Sequence, residues 1–190
     1  MIRHFIVLLW VMGIAAACQP SAQTATAVIA ETASINTSDV LGGVLTVAYP
    51  KNWAATPSDG SILLGSQPGI SPENTVPAGA VAVGVSGIAP VLAATIVTDG
   101  TITAATVLDA YQNTLSSDIQ AGSTTAITLN GKSAARLSVA ANEGDSLIIV
   151  IDQAGAFVVV IGVTAKGELA QHEAAILAIA EQATYELAAE

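Results

Sequence analysis

Residues Thr125–Val163 read TAITLNGKSAARLSVAANEGDSLIIVIDQAGAFVVVIGV, and this stretch decides the fold class. Asn130-Gly131 separates two β-prone runs, Thr125–Leu129 and Ser133–Ala140. Both turn residues tolerate positive φ, which a two-residue type I′ turn requires, so the pair is the strongest short-range hairpin signal. Asn142–Asp145 (NEGD) makes the next turn, and Leu147–Ile151 (LIIVI) follows as an apolar strand. Asp152–Gly155 (DQAG) then turns the chain into Phe157–Val163 (FVVVIGV). Strands this uniformly apolar are expected to be covered on both faces.

Working outward, Val44–Tyr49 (VLTVAY) predicts a strand stopped by Pro50. Trp53–Gly65 reads as strand, turn and strand around Asp59-Gly60. Ser66–Pro77 carries Pro68, Pro72 and Pro77 and predicts a surface loop. Ala80–Ile88 (AVAVGVSGI) puts Val81, Val83 and Val85 on one strand face and Ala82, Gly84 and Ser86 on the other. Those small residues predict close packing by a covering element, expected to be a helix. At Thr103–Leu115 the period changes: Val107, Leu108, Tyr111 and Leu115 form one helical stripe, with Thr101 or Thr103 as N-cap. Gly167–Ala183 predicts a closing helix with Leu169, Ile176, Leu177 and Ala180 facing inward. Hairpin-linked strands with helices inserted and at the end mean α+β with an antiparallel sheet.

Ahead of this pattern, Phe5–Ala17 (FIVLLWVMGIAAA) is uncharged and follows Arg3 and His4. Its thirteen residues fall short of the roughly 20 that a membrane-spanning helix needs. A short apolar core ending in small residues predicts an export signal. Ala15-Ala16-Ala17-Cys18 resembles the lipobox of bacterial lipoproteins, whose cysteine sulfur takes a diacylglyceryl group before cleavage. Ala15 stands where such boxes favour Leu or Val. Cleavage without lipidation, or an uncut anchor, are the two other outcomes. Cys18 is the only cysteine, so an exported chain has no internal disulfide to form and the thiol has a purpose here as a lipid site. Each buried methylene contributes roughly 0.8 kcal/mol, and stable anchoring needs more than one acyl chain. The expected organisation is a leader at residues 1–17, the lipidated Cys18 with an Ala/Thr/Ser-rich tether at 18–43, and one domain at 44–187. A flexible tether of that length would reach roughly 25–30 Å. Val28-Ile29-Ala30 is a short apolar group that could instead pack on the domain.

The 190-residue chain has formal net charge −10. Without residues 1–17 it holds four basic residues (Lys51, Lys132, Arg136 and Lys166) against fifteen acidic ones, a net charge of −11. That balance argues against nucleic acid and against lying on anionic lipid, both of which need basic surface. The aromatics left are Tyr49, Trp53, Tyr111, Phe157 and Tyr185, so the core is expected to be Val, Ile, Leu and Ala. A domain of about 150 residues buries about 68–70% of its unfolded surface, enough to fold without disulfide or metal.

Tyr49-Pro50-Lys51-Asn52-Trp53 resembles the Tyr-Pro-x-x-Trp signature that opens the PsbP-like fold. That family contains the photosystem II extrinsic subunit PsbP, bacterial lipoproteins of unknown function and a nuclear-import factor that binds Ran. The likeness continues through VLDAYQNTL and through Ile127–Arg136, with Asn130-Gly131 at its centre, and spans about Leu45 to Tyr185. It implies an antiparallel sheet of about six to seven strands flanked by helices on both faces. It also implies an accessory or binding role more than an enzymatic one, and it carries over no ligand.

Other motifs are explained by backbone chemistry. Gly131-Lys132-Ser133 ends like a P-loop, but Ala126 stands where the first Gly belongs and no helix is predicted after Ser133. Gly84-Val85-Ser86-Gly87 fails as a nucleophile elbow because Ile88 replaces the final Gly. Once His4 leaves with the signal, His172 stands alone, expected to be solvated or partly packed, which disfavours a catalytic triad and zinc. Glu143, Asp145, Asp152 and Asp99 occupy turns that favour Asp, Asn and Gly anyway. No calcium loop is present, and no metal or cofactor is expected. These residues predict a lipid-anchored accessory protein on the extracytoplasmic side of the envelope. It is expected to bind another envelope or membrane protein and not to be an enzyme. The alternatives are an envelope carrier of a small ligand, which needs an apolar concavity, and a hydrolase with two carboxylates about 5–9.5 Å apart. Ser66–Pro77 is the expected contributor to the binding surface, since long loops on rigid sheets often carry function.

Overall fold

Asn130 and Gly131 adopt φ of 48° and 77° and close a hairpin that pairs from Thr125↔Arg136 to Leu129↔Lys132. The computed structural model describes residues 31–39, 41–58, 60–115 and 119–187. In chain order its elements are β1 (Thr32–Ser38), β2 (Val44–Pro50), β3 (Ala54–Ser58), β4 (Ser61–Gly65), β5 (Val81–Ile88), α1 (Pro90–Ile96) and α2 (Ala104–Gln112). They continue with β6 (Gln120–Ala121), β7 (Thr125–Leu129), β8 (Lys132–Ala140), β9 (Asp145–Gln153), β10 (Ala156–Thr164), α3 (Leu169–Gln182) and β11 (Thr184–Glu186).

The hairpin series β8, β9 and β10 forms the middle of an antiparallel sheet of eight strands, ordered β3-β4-β5-β10-β9-β8-β6 with β7 also on β8. A smaller sheet runs β1-β2-β11. Side-chain alternation divides the core into two layers. Val81, Val83, Val85, Leu147, Ile149, Val158 and Val160 pack with Leu45 and Val47 of the small sheet and Ile176 and Ile179 of α3. On the other face, Ile148, Val150, Phe157 and Val159 pack with Ala93 of α1 and Val107 and Leu108 of α2. This double cover is why LIIVI and FVVVIGV carry no polar alternation. Gly162 lets α3 approach, because a Cβ there would overlap the Ile176 side chain. At α2, Thr103 is the N-cap: its Oγ1 accepts from Thr106 N, while Thr106 Oγ1 accepts from Thr103 N at 2.8 Å.

The α+β antiparallel architecture stands, with three differences in detail. The strand β1 lies inside the segment 18–43 expected to be tether, so the folded unit reaches back beyond the expected start at Val44. Its alternating exposure leaves only Ile35 against the core, too little apolar signal to mark a strand. The eight-stranded sheet exceeds the expected six to seven strands because β6 and β7 both pair with β8. The small-residue face of β5 is covered in part by a loop rather than a helix: Ala82 packs with Val76, and Pro72 sits over Gly84. Residues 1–30, with the leader, Cys18 and Val28–Ala30, lie outside the described residues. Among the described residues no helix is long and apolar enough to cross a membrane.

Candidate functional site

The expected fold-signature residues serve the fold. Tyr49 and Trp53 are half-buried against the main core, and Trp53 N donates to Pro50 O at 2.9 Å to tighten the β2–β3 turn. Asn130-Gly131 is the β7–β8 turn. The expected docking loop Ser66–Pro77 is fastened down: Val76 is buried, and Ser66 Oγ accepts from Val81 N at 2.9 Å. Just beyond it, Gly79 N donates to Glu168 Oε2 at 2.7 Å. Its outer edge and the β8–β9 turn enclose a cleft of about 370 Å³ that holds Glu73 and Glu143. The other turn carboxylates are engaged by backbone. Asp145 Oδ2 accepts from Gly167 N at 2.7 Å, and Asp152 Oδ1 accepts from Gly155 N at 3.1 Å, at opposite ends of β9. Asp99 is exposed beyond α1. His172 is partly packed, its Nε2 3.9 Å from Glu168 Oε2 and without a hydrogen-bond partner. No group of three or more His, Cys, Asp or Glu among the described residues is placed to hold a metal ion.

A different region gathers apolar side chains at the surface. Where β1 turns into β2, Asp39 Oδ1 accepts from Leu41 N at 2.8 Å and Gly43 N at 2.9 Å. Its Oδ2 accepts from the Tyr185 hydroxyl of β11. The Tyr185 ring packs against Gly43 and Gly87, where any side chain would overlap it. Burial, the hydrogen bond to Asp39 and the Asp39 charge together push the Tyr185 hydroxyl up to about 12. Burial works to raise the Asp39 carboxyl, but the bonds from Tyr185, Gly43 and Leu41 outweigh it and hold it below 3.8. The latch fixes the loop that presents Leu41.

Beside this latch opens a cleft of about 640 Å³ lined by Asp39, Leu41, Gly60, Ser86, Gly87 and Leu92. Leu41 and Leu92 are each close to half exposed, and Val91, next to Leu92 on α1, is 62% exposed. Further along α1, Ile96 faces Tyr111 of α2 across a smaller cavity. Every residue from Asn74 to Thr98 is uncharged. Exposed large apolar side chains beside a cleft, on a segment without charge, have the composition of an interface centre.

No protein-family model and no curated protein matches the chain. Solved structures do. Cyanobacterial PsbP (CyanoP) from Synechocystis sp. PCC 6803 is similar at 18% identity, over 80% of this chain and 91% of that one, with a TM-score of 0.40. LpqN, involved in cell envelope biogenesis of Mycobacterium tuberculosis, is similar at 20% identity, over 82% and 92% of the two chains, with a TM-score of 0.46. A protein of unknown function from Pseudomonas aeruginosa is similar at 16% identity, over 67% and 82%, with a TM-score of 0.39.

The Asp39–Tyr185 latch and the α1 rim escaped sequence reasoning. A partial signal existed for each: Asp39 precedes Gly42-Gly43 as an Asx turn would, and Ala89-Pro90 marks a helix start with Pro at its first turn.

Proposed function

We propose that this chain is a lipid-anchored accessory protein of the cell envelope that binds another envelope or membrane protein through the α1 rim, without performing chemistry. One observation carries the docking surface: Leu41 and Leu92 stand exposed in one cleft, and Val91, Leu92's neighbour on α1, is exposed as well. Burying apolar surface contributes about 25 cal/mol per Å², so such a rim favours association. The carboxylate in the cleft is committed, since Asp39 accepts from two backbone N–H groups and a hydroxyl. That makes it a structural anchor rather than a poised base. With a net charge of −11 after residues 1–17, the partner is a protein surface rather than nucleic acid. Cys18 supplies the membrane attachment and the extracytoplasmic location in this proposal.

The test is photo-crosslinking in envelope membranes with a probe at Val91, compared across variants. Leu92→Asp and Leu41→Asp should abolish the cross-linked product, while Thr56→Asp on β3, away from the rim, should leave it intact. Equal cross-linking in all three variants would overturn the docking surface.

A further inference from the structure

Between α1 and α2, above the sheet, lies a cavity of about 170 Å³. Its floor is Ile88, Ile148, Val150 and Val159, and its walls include Ile96 and Val107. Apolar cavities of this size remain dry and accept small hydrocarbons; one of about 150 Å³ holds benzene. Drug-sized ligands need roughly 300 Å³ or more, so this cavity takes a small molecule or the end of a larger one.

The mouth limits the head group. Ile96 and Tyr111 stand beside the opening, 42% and 38% exposed. The Thr114 hydroxyl at the rim already donates to Tyr111 O at 2.7 Å. Tyr111, whose hydroxyl makes no hydrogen bond among the described residues, supplies the polar group for a ligand. Charge selects further. No charged residue is among those that line the cavity, and no Lys, Arg or His occurs from Asn52 to Gly131. An anionic head at this mouth would lose hydration and find no counter-charge among the lining residues.

We infer that this cavity is a binding site for the apolar end, alkyl or aromatic, of an uncharged molecule. Such a site is independent of the docking rim, because it lies under the two helices rather than beside the Asp39 cleft.

The full chain in lipid nanodiscs, with Ile, Leu and Val methyls labelled, is titrated with benzene, 1-hexanol or hexanoate and followed by NMR. Benzene and 1-hexanol should shift the methyls of Val107, Ile148, Val150 and Val159 saturably, and leave Leu45 and Val47 of the small sheet unmoved. Hexanoate should bind at least about tenfold more weakly than 1-hexanol, a difference of about 1.4 kcal/mol. Ala110→Phe fills the cavity and should abolish the shifts. Ala110→Leu, a smaller addition, should weaken them, and the Leu45 and Val47 signals report that each variant is folded. The proposal is overturned if neither neutral probe saturates, if Leu45 and Val47 shift as much as the cavity methyls, if hexanoate binds as well as 1-hexanol, or if a folded filled variant binds like wild type. Probes presented only from the bilayer and probes free in solution are compared by varying the lipid-to-protein ratio. Shifts that follow total bilayer area alone, without saturating at the cavity, count against the site.

Discussion

Tyr185→Phe isolates the latch, because it removes one hydroxyl and leaves the ring packed against Gly43 and Gly87. Tyr185 is 3% exposed and its hydroxyl donates to an ionised carboxylate. A hydrogen bond to a charged group contributes about 1.5–3 kcal/mol. Asp39 keeps its bonds from Leu41 N and Gly43 N in the variant, so the loss should sit near the lower end, about 2 kcal/mol. For a domain of this size that lowers Tm by about 4–8 °C. Urea unfolding of both proteins across pH reads it out. The Asp39 carboxyl is depressed below 3.8 in the fold, so its contribution is present above the unfolded value and is lost as pH falls through the folded one. The gap between wild type and variant should therefore hold near neutrality and close below about pH 4. At the alkaline end the sign reverses. Tyr185 is raised from 10.0 to about 12, so its contribution is complete below pH 10 and is lost as pH rises towards 12. Wild type should decline there, and Tyr185→Phe should lack that decline. Stability unchanged by the substitution, or a deficit that persists after Asp39 is protonated, would refute the latch.

Asp39→Asn should bring the Tyr185 ionisation down from about 12 towards its ordinary value, read by ultraviolet absorbance during alkaline titration, because two of its three causes depend on Asp39. Gly162→Val should cost about 1–3 kcal/mol in urea unfolding by overlap with Ile176, since a packed interior resists added methyls. At Gly131→Ala no atom lies within 4 Å of the new Cβ, so the expected cost of about 1–2 kcal/mol comes from the left-handed backbone alone. Cys18→Ala should move the chain from the membrane pellet to the soluble extracytoplasmic fraction without altering its far-ultraviolet circular dichroism. A variant that still sediments wholly with membranes would end the acylation proposal.

Sequence carried the centre of the fold because local chemistry fixes it. Asn130-Gly131, the NEGD and DQAG turns and the Thr103 cap each act through neighbouring residues, and β7 to β10 and α2 follow. The small sheet needs partners far along the chain: Thr46 pairs with Thr184, and Tyr185 bonds to Asp39 146 residues away. No local period announces such pairings. β1 (TASINTS) has one large apolar residue, Ile35, so its alternation was hidden by small polar side chains. The α1 rim stayed invisible because exposure is a property of packing: Val91 and Leu92 read like core residues until their neighbours are known. Asp145 and Asp152 were legible as turn residues because Asp favours turns through its own backbone bonds, and both secure backbone N–H groups.

The doubly covered strands β9 and β10 also shape the chain's life before folding. In a newly made, still unfolded chain LIIVI and FVVVIGV are naked β-formers suited to stacking between chains. Asp145 and Asp152 bracket the first with like charge, and Asp152 and Lys166 bracket the second with hydrated charges that are costly to bury, so each sticky segment is punctuated. Neutralising those brackets should send newly made chains into insoluble deposits, a loss of yield beyond the stability that goes with the turn bonds of Asp145 and Asp152.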